Sequence, residues 1–225
     1  PGRNPLHLAK ELAHLDRLAE GRLLLAFMPG IGSRRERAAL GVANIDRTKH
    51  LRQTIELCRA WWAGEAVTAD IAGFRYDDAH VDPSPIQEPL EIWLGGNGPK
   101  GLALTGTHAD GWLASRATPT EAEGHIANIR AAAAEAERVI DDDHFGISVP
   151  YARHDLDDAS IEAVMQRTVA ERSQILPIGP EELRRLLEQH LAAGLTKFVL
   201  RPMALTDGWD AELDYLAEHA LPLQN

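Results

Sequence analysis

Residues 90–100 read LEIWLGGNGPK, a short apolar run that changes abruptly into glycines. Ile92–Leu94 is too short for a helix and is apolar at successive positions, which predicts a strand buried on both faces, as in a parallel sheet. The glycines that follow lack a Cβ, so backbone N–H groups could approach an anion closely. Pro99 suits the first turn of a helix, whose free N–H groups and dipole would face that anion. The segment predicts a phosphate loop or, alternatively, only a tight strand-to-helix turn.

Working outward from this stretch, strands and helices alternate along the chain. Asn4 and Pro5 predict the start of a helix that Gly21 ends. The short apolar segments predicted as main-sheet strands, each followed by a helix, are 23–28, 92–94, 109–114, 145–149 and 198–200. A small hairpin outside the main sheet is predicted at Val67-Thr68 and Phe74–Tyr76. Cys58 lies on an apolar helix face and is predicted to be a core residue.

The alternation of strand and helix is typical of a parallel sheet with right-handed crossovers. The sequence therefore predicts an α/β fold, a β/α barrel of the TIM type, with residues 1–225 forming one domain. Such barrels have about eight strands, so five leave the barrel about three strands short, and we expect the N-terminal strands to be absent. The strands at 23–28 and 198–201 should consequently each have an open edge.

Composition restricts the class of partner. The 225 residues have 44% hydrophobic content and a formal net charge of −11, without a run of Lys or Arg. This argues against nucleic acid and anionic membranes as partners and favours a cytoplasmic protein that acts on a small molecule. A single cysteine excludes an internal disulfide, and no apolar run approaches the length of a membrane span.

Basic residues follow the predicted strands, whereas many acidic residues fall in helices and their caps. In a β/α barrel the ligand lies at the carboxyl ends of the strands, so this separation favours an anionic ligand. Solvation of loop side chains explains the same pattern about equally well. The residues concerned are Arg34, Arg35, Lys100, Arg116, Arg153 and Arg201.

Other chemistries have little support in the sequence. Paired cysteines, a His-Glu-x-x-His pattern and an aspartate-rich calcium loop are all absent, so no metal is predicted. His154–Asp158 is the nearest candidate, and a solvated loop with helix-capping acids explains it better. The glycine run has neither the spacing of a dinucleotide fingerprint nor the Gly-Lys-Ser/Thr of a nucleoside triphosphate loop.

Several motifs, taken in order, resemble the luciferase-like monooxygenase family of flavin and deazaflavin oxidoreductases. They are Asn4-Pro5, Ala9–Leu18, Gly21–Leu25, Pro83–Gln87, Ile92–Gly96 and Ala109–Trp112. Each is weak alone, but together they span nearly the whole chain. The segments Phe145–Tyr151 and Lys197–Met203 are similar to the subgroup assigned to the deazaflavin coenzyme F420.

The resemblance implies a cofactor site at the strand ends and a homodimer for the intact protein. The cofactor, F420 or alternatively FMN, would place its phosphate on the loop and its tricyclic ring near the neighbouring strand ends. Implied loop contacts are Gly95, Gly96, Asn97, Gly98, Pro99 and Lys100, and implied ring contacts are Met28, Gly30, Trp112 and Ser115. Some family members have an acidic residue after the strand that here ends at Met28, where the first carboxylate is Glu36, a candidate proton donor. Arg201 should pair with an anionic part of cofactor or substrate, unless it only pairs with a helix carboxylate.

These observations predict an oxidoreductase in which a reduced flavin or deazaflavin exchanges hydride with a small organic substrate. One alternative is a non-catalytic flavin-binding relative or an inactive fragment. Another is a barrel isomerase or aldolase that uses the same loop for a sugar phosphate. The last would need a lysine or paired acids at strand ends, where only Lys100 is placed.

Overall fold

The computed structural model describes residues 2–30, 33–71, 73–166 and 168–224. The strands are β1 Leu25–Phe27, β2 Val67–Ile71, β3 Phe74–Ala79, β4 Ile92–Gly95, β5 Gly111–Ser115, β6 Phe145–Tyr151 and β7 Lys197–Pro202. The helices are α1 Pro5–Leu18, α2 Arg34–Ala39, α3 Arg47–Trp62, α4 Pro99–His108, α5 Pro119–Glu135, α6 Asp158–Met165, α7 Pro180–Ala192 and α8 Gly208–His219. Short 3-10 turns cover Arg172–Gln174 and Leu221–Leu223.

The main sheet is parallel and has five strands in the order β1-β4-β5-β6-β7, while β2 and β3 form a separate antiparallel hairpin. The predicted parallel sheet and hairpin are both confirmed. Helices flank the curled sheet, so the fold is that of an incomplete β/α barrel. Within the described ranges β1 and β7 each pair on one side only, which confirms the predicted open edges.

The two faces of the sheet differ in burial. One face packs against the helices and carries large side chains, such as Ile92 and Leu94 against α1 and α3, and Ile147 against α5. On the other face, glycines occupy the positions at which a side chain would collide with a neighbouring strand. A Cβ on Gly111 would lie 2.4 Å from the Trp93 ring, and a Cβ on Gly146 would lie 2.9 Å from the Lys197 carbonyl. Burying the helix-facing residues supplies most of the hydrophobic stabilisation.

Asp16 joins two motif segments that are distant in the sequence. Its buried carboxylate accepts hydrogen bonds from the amides of Ile86 at 2.7 Å and Gln87 at 2.9 Å, and from Gln87 Nε2 at 2.6 Å. Burial alone would raise the pKa of this carboxyl, but the hydrogen bonds from Gln87 and Ile86 outweigh burial and lower the pKa. The Pro83–Gln87 segment is therefore fixed on α1.

Asp110 has a similar role at the amino ends of β4 and β5. Its carboxylate accepts from the Ile92 amide at 2.8 Å and pairs with Arg59 at 2.7 Å and Arg138 at 3.3 Å. These contacts tie both strands to α3 and to the segment after α5. Because the amino ends lie opposite the ligand end of a β/α barrel, this charged cluster belongs to the scaffold.

Some local predictions are corrected by the structure. The cationic loop predicted after β1 contains α2, which Ser33 caps by accepting from the Glu36 amide at 3.1 Å. Ile31 and Gly32, predicted to lie in that loop, are outside the described residues. The described part of the chain contains no helix that is long and apolar enough to cross a membrane.

Candidate cofactor site

The glycine-rich loop joins β4 directly to α4. Gly95 is the last residue of β4, Gly98 caps α4 with φ −78°, and the helix begins at Pro99, as the sequence predicts. Of the three glycines only Gly96 adopts a left-handed φ, +113°. A side chain at Gly96 would therefore strain the backbone, whereas Gly98 has a φ that any residue tolerates.

The backbone N–H groups of this loop are available to a ligand. Among the described residues, helical hydrogen bonding in α4 begins with the amides of Gly101 and Leu102, which donate to the Gly98 carbonyl at 2.9 Å and 3.0 Å. In the same part of the chain no acceptor is found for the amides of Asn97, Gly98 and Lys100, whereas the pairing of Gly95 with Leu113 turns the Gly96 amide toward β5. Cβ atoms built on Gly96, Gly98 and Gly101 would meet no atom within 4 Å. Unpaired amides with free space beside them at a helix N-terminus form an anion site.

Two hydrogen bonds from β5 fix the loop in place. Asn97 Nδ2 donates to the Ser115 carbonyl at 2.9 Å, and Trp112 Nε1 donates to the Gly96 carbonyl at 3.1 Å. Asn97 Oδ1 is shielded from water and has no partner among the described residues. Since an unpaired buried acceptor is costly, this oxygen is suited to accept a hydrogen bond from a bound molecule.

Trp112 requires a correction. Its side chain has no exposed surface and packs in the helix-facing core, because its position in β5 points away from the open face. The resemblance implies that Trp112 contacts the cofactor ring. In the structure Trp112 instead supports the glycine-rich loop through its indole N–H. Ser115 lies on the opposite face, in register with Ser148.

Met28 and Gly30 lie beyond the carboxyl end of β1. Met28 is 53% exposed and reaches across to β4, where a Cβ built on Gly95 would lie 2.7 Å from its Cε. The Gly30 carbonyl accepts from Arg47 Nη1 at 2.6 Å. Met28 is thus beside the loop, and Gly30 is held to the start of α3.

Arg201 lies on the open face near the end of β7. It is paired in register with Pro150, and its Nε donates to Ser148 Oγ at 2.8 Å. No carboxylate within salt-bridge distance of Arg201 is found among the described residues. The alternative pairing with a helix carboxylate is therefore wrong for the described part of the chain. Ser148 was not predicted, although its alternation with buried Ile147 and Val149 is the signal for the open face.

The remaining candidates are less well placed. Glu36 is exposed on α2, and no contact recorded among the described residues brings it to the loop. Arg153 pairs with Asp207 at 3.4 Å and with buried Glu212 at 3.7 Å, so its charge is used within the fold. Lys100 is exposed at the first turn of α4.

Two groups of acidic and histidine side chains resemble metal ligands but have other partners or another place in the fold. Asp157 accepts from the Ser160 amide at 2.7 Å and caps α6, as the capping interpretation of His154–Asp158 expects. Asp141, Asp143 and His144 lie close enough together to share an ion. However, Asp143 already pairs with Lys197 Nζ at 2.9 Å, and this cluster precedes β6 at the amino end of the sheet.

Comparison with known families identifies the class of protein. The family model for luciferase-like monooxygenases matches residues 1–222, so the chain belongs to that family. Among curated relatives it is 29% identical over 140 residues to the phthiodiolone/phenolphthiodiolone dimycocerosates ketoreductase of Mycobacterium tuberculosis, covering 60% of this chain and 36% of that one. It is 30% identical over 113 residues to the F420-dependent glucose-6-phosphate dehydrogenase of Nakamurella multipartita, covering 49% and 32%. These matches span only about a third of either relative.

Solved structures share the fold at lower identity. An F420-dependent secondary alcohol dehydrogenase in complex with an F420-acetone adduct superposes with a TM-score of 0.80 and 19% identity, covering 99% of this chain and 76% of that one. The FMN complex of the oxygenating constituent of 3,6-diketocamphane monooxygenase from Pseudomonas putida gives 0.73 and 15%, covering 100% and 77%. The fold therefore occurs with both cofactors.

Proposed function

We propose that the protein transfers hydride between a deazaflavin cofactor and a small organic substrate. The observation that carries this proposal is the set of amides at Asn97, Gly98 and Lys100 that have no acceptor among the described residues, in a chain that belongs to this family. The bound cofactor would supply the hydride chemistry, and the protein would contribute binding and orientation.

The residues of the loop fit a phosphate ester attached to a polyol chain, the part that flavins and deazaflavins share. The amides would hold phosphate oxygens through charge-assisted hydrogen bonds, aided by the α4 dipole. Asn97 Oδ1, shielded and without a partner in the described part, would accept a hydrogen bond from a hydroxyl of the polyol. Met28 and Ser115 would lie on the side of the ring, while Pro99 begins the helix and Lys100 contributes screened charge.

The choice of F420 rests on the names of relatives. Two of them, the glucose-6-phosphate dehydrogenase and the secondary alcohol dehydrogenase, are F420-dependent, whereas the camphane monooxygenase constituent contains FMN. FMN is therefore the alternative cofactor for this chain. Separate titrations with F420 and FMN, followed by tests for reoxidation of each reduced cofactor by carbonyl acceptors, distinguish the two. Tight binding without any reoxidation would instead favour a non-catalytic flavin-binding relative.

The loop contact is tested by replacing Gly98 with alanine. Gly98→Ala costs no backbone strain and meets no protein atom, so its methyl group would obstruct only the ligand. Losing two or three charge-assisted hydrogen bonds, at about 1.5–3 kcal/mol each, should weaken cofactor binding by about a hundredfold or more. The measurement is the cofactor dissociation constant, with circular dichroism to verify the fold.

Gly101→Ala is the matched control. Gly101 lies one turn further along, inside α4, also with free space around its Cα, and alanine there should favour the helix. Its cofactor affinity should stay within about twofold of wild type, and Lys100→Gln should cost only severalfold because exposed charge is screened. Normal binding by Gly98→Ala together with a large loss in Lys100→Gln would show that side-chain charge, not the main chain, holds the phosphate.

A further inference from the structure

A cavity of about 340 Å³ lies at the carboxyl end of β1, beside the first turns of α1 and α3. Its wall is mainly apolar and includes Leu8, Phe27, Met28 and Leu51. Helices that follow parallel strands begin at the carboxyl edge of the sheet, so this cavity is at the same end as the glycine-rich loop. Its volume suits a small organic molecule.

His50 and Thr54 are the buried polar side chains of this cavity, and the Thr54 hydroxyl already donates to the His50 carbonyl at 2.9 Å. The His50 ring is therefore the polar group left for a ligand. His50 is 5% exposed, and its Nδ1 is shielded from water without a hydrogen-bond partner in the described ranges. Burial lowers the pKa of this imidazole, so the ring is neutral at pH 7. A proton on the enclosed Nδ1 would be an unsatisfied buried donor, which favours the tautomer with the proton on Nε2. Nε2 also has no hydrogen-bond partner among the described residues, but unlike Nδ1 it is not fully shielded from solvent.

Met28 connects this cavity to the loop. The same side chain lines the cavity and lies beside Gly95, the residue that leads into the loop. A molecule in the cavity would therefore be separated from the cofactor site by one flexible side chain. The described lining contains no carboxylate to recognise an amine, and its charged residue, Arg3, lies exposed at the rim with its Nη1 3.8 Å from a Glu11 carboxylate oxygen.

We propose that this cavity, here called the His50 cavity, binds the apolar part of the substrate. The ligand is an uncharged organic molecule whose carbonyl or hydroxyl oxygen accepts a hydrogen bond from His50 Nε2. A role for this cavity in turnover rests on the proposed function, because the bound molecule can react only if a cofactor is bound beside it. Binding itself needs no cofactor, so it is tested separately.

The test compares cyclohexanone with methylcyclohexane, which has a similar shape but no acceptor. Dissociation constants are measured by NMR titration of the cofactor-free protein, in wild type and in His50→Phe. The variant should weaken cyclohexanone binding by about three- to tenfold, the equivalent of one net hydrogen bond, and leave methylcyclohexane within about twofold. Leu51→Phe, which narrows the cavity but keeps His50, should weaken the binding of both probes.

A second measurement applies even if His50→Phe does not fold. Nitrogen NMR of the wild-type His50 ring should report a protonated Nε2 whose signal shifts with cyclohexanone and not with methylcyclohexane. An unshifted ring, or equal effects of His50→Phe on both probes, would overturn the proposal. Tighter binding of cyclohexanecarboxylate that Arg3→Gln abolishes would also overturn it, by showing an anion site at the exposed rim. Because no cofactor is present, these results are independent of the loop experiments.

Discussion

At the scale of single residues, Asp16 is the clearest case of a side chain whose charge stabilises the fold. Asp16→Ala should lower the free energy of unfolding by about 2–4 kcal/mol, because the buried amides of Ile86 and Gln87 lose a charged acceptor. Urea denaturation at pH 7 measures this loss. Glu11→Gln is the control, since Glu11 is exposed on the same helix and should change stability by no more than about 0.5 kcal/mol.

The same carboxylate predicts a dependence of stability on pH. Since the folded pKa of Asp16 is lowered, its contribution is complete above the unfolded value of about 3.9 and is lost as the pH falls through the folded pKa. Wild type should therefore lose stability relative to Asp16→Ala as the pH falls below about 3.9 and through the lowered folded pKa. Parallel curves for the two proteins across that range would show that Asp16 does not contribute in this way.

Arg201 gives a prediction about ligand recognition. Its guanidinium is positioned by Ser148 on the open face, and no carboxylate of the described chain neutralises it. Arg201→Gln should raise the dissociation constant of the cofactor or the KM of the substrate by about three- to tenfold, since an exposed charge is partly screened. Ser148→Ala, which removes only the positioning contact, should have a smaller effect in the same direction. If the dissociation constant and the KM are unchanged in both variants, Arg201 does not contact the ligand and only bonds to Ser148.

At the scale of elements, the position of the loop depends on how closely α4 packs against α5. A Cβ on Gly106 of α4 would lie 2.5 Å from the Ile129 carbonyl and 2.7 Å from the Ala132 Cβ, both on α5. Gly106→Ala should force the helices apart and cost about 1–3 kcal/mol despite the higher helix propensity of alanine. Because α4 carries the loop, cofactor affinity should fall as well.

Gly124→Ala is the matched comparison. Gly124 lies inside α5 with no atom within 4 Å of its Cβ position, so alanine should stabilise the protein by up to about 1 kcal/mol. Thermal melts and cofactor titrations of both variants measure the difference. Equal effects of the two substitutions would mean that the α4 and α5 contact is looser than the structure indicates.

Elements whose signal is local were predictable from sequence. Asn4 and Pro99 mark helix starts at the expected residues, because caps act through neighbours in the chain, and the Thr118–Glu121 capping box begins α5 in the same local way. The orientation of Trp112 was not predictable from composition, since an apolar strand buried on both faces hides which face is which. His50 was missed because its importance comes from tertiary neighbours. The alternation around Ser148 marks the open face, but its contact with Arg201 on another strand is not visible in the sequence.

At the scale of the whole molecule, the two ends of the sheet have different roles. The amino ends carry the Asp110 cluster, where one carboxylate pairs with the guanidinium groups of Arg59 and Arg138. The carboxyl ends carry loop amides without an acceptor in the described chain, Arg201 without a carboxylate partner there, and the His50 cavity. Charge that is paired at one end and left to a ligand at the other is what a scaffold with a separate binding edge requires.

The open sheet also predicts self-association. β1 and β7 each have an unpaired edge in the described part, and Val199 of β7 is 47% exposed on the open face. Unpaired strands with exposed apolar side chains tend to pair with other chains, and a charge on the strand opposes this. We therefore expect wild type to associate reversibly as its concentration rises and Val199→Lys to remain monomeric at higher concentrations, as measured by sedimentation velocity. Val139→Lys is the control, since Val139 is 89% exposed and lies outside every strand. If both lysine variants reduce association equally, the net charge of the protein and not the β7 edge governs association. A wild-type protein that stays monomeric at all concentrations would contradict the prediction.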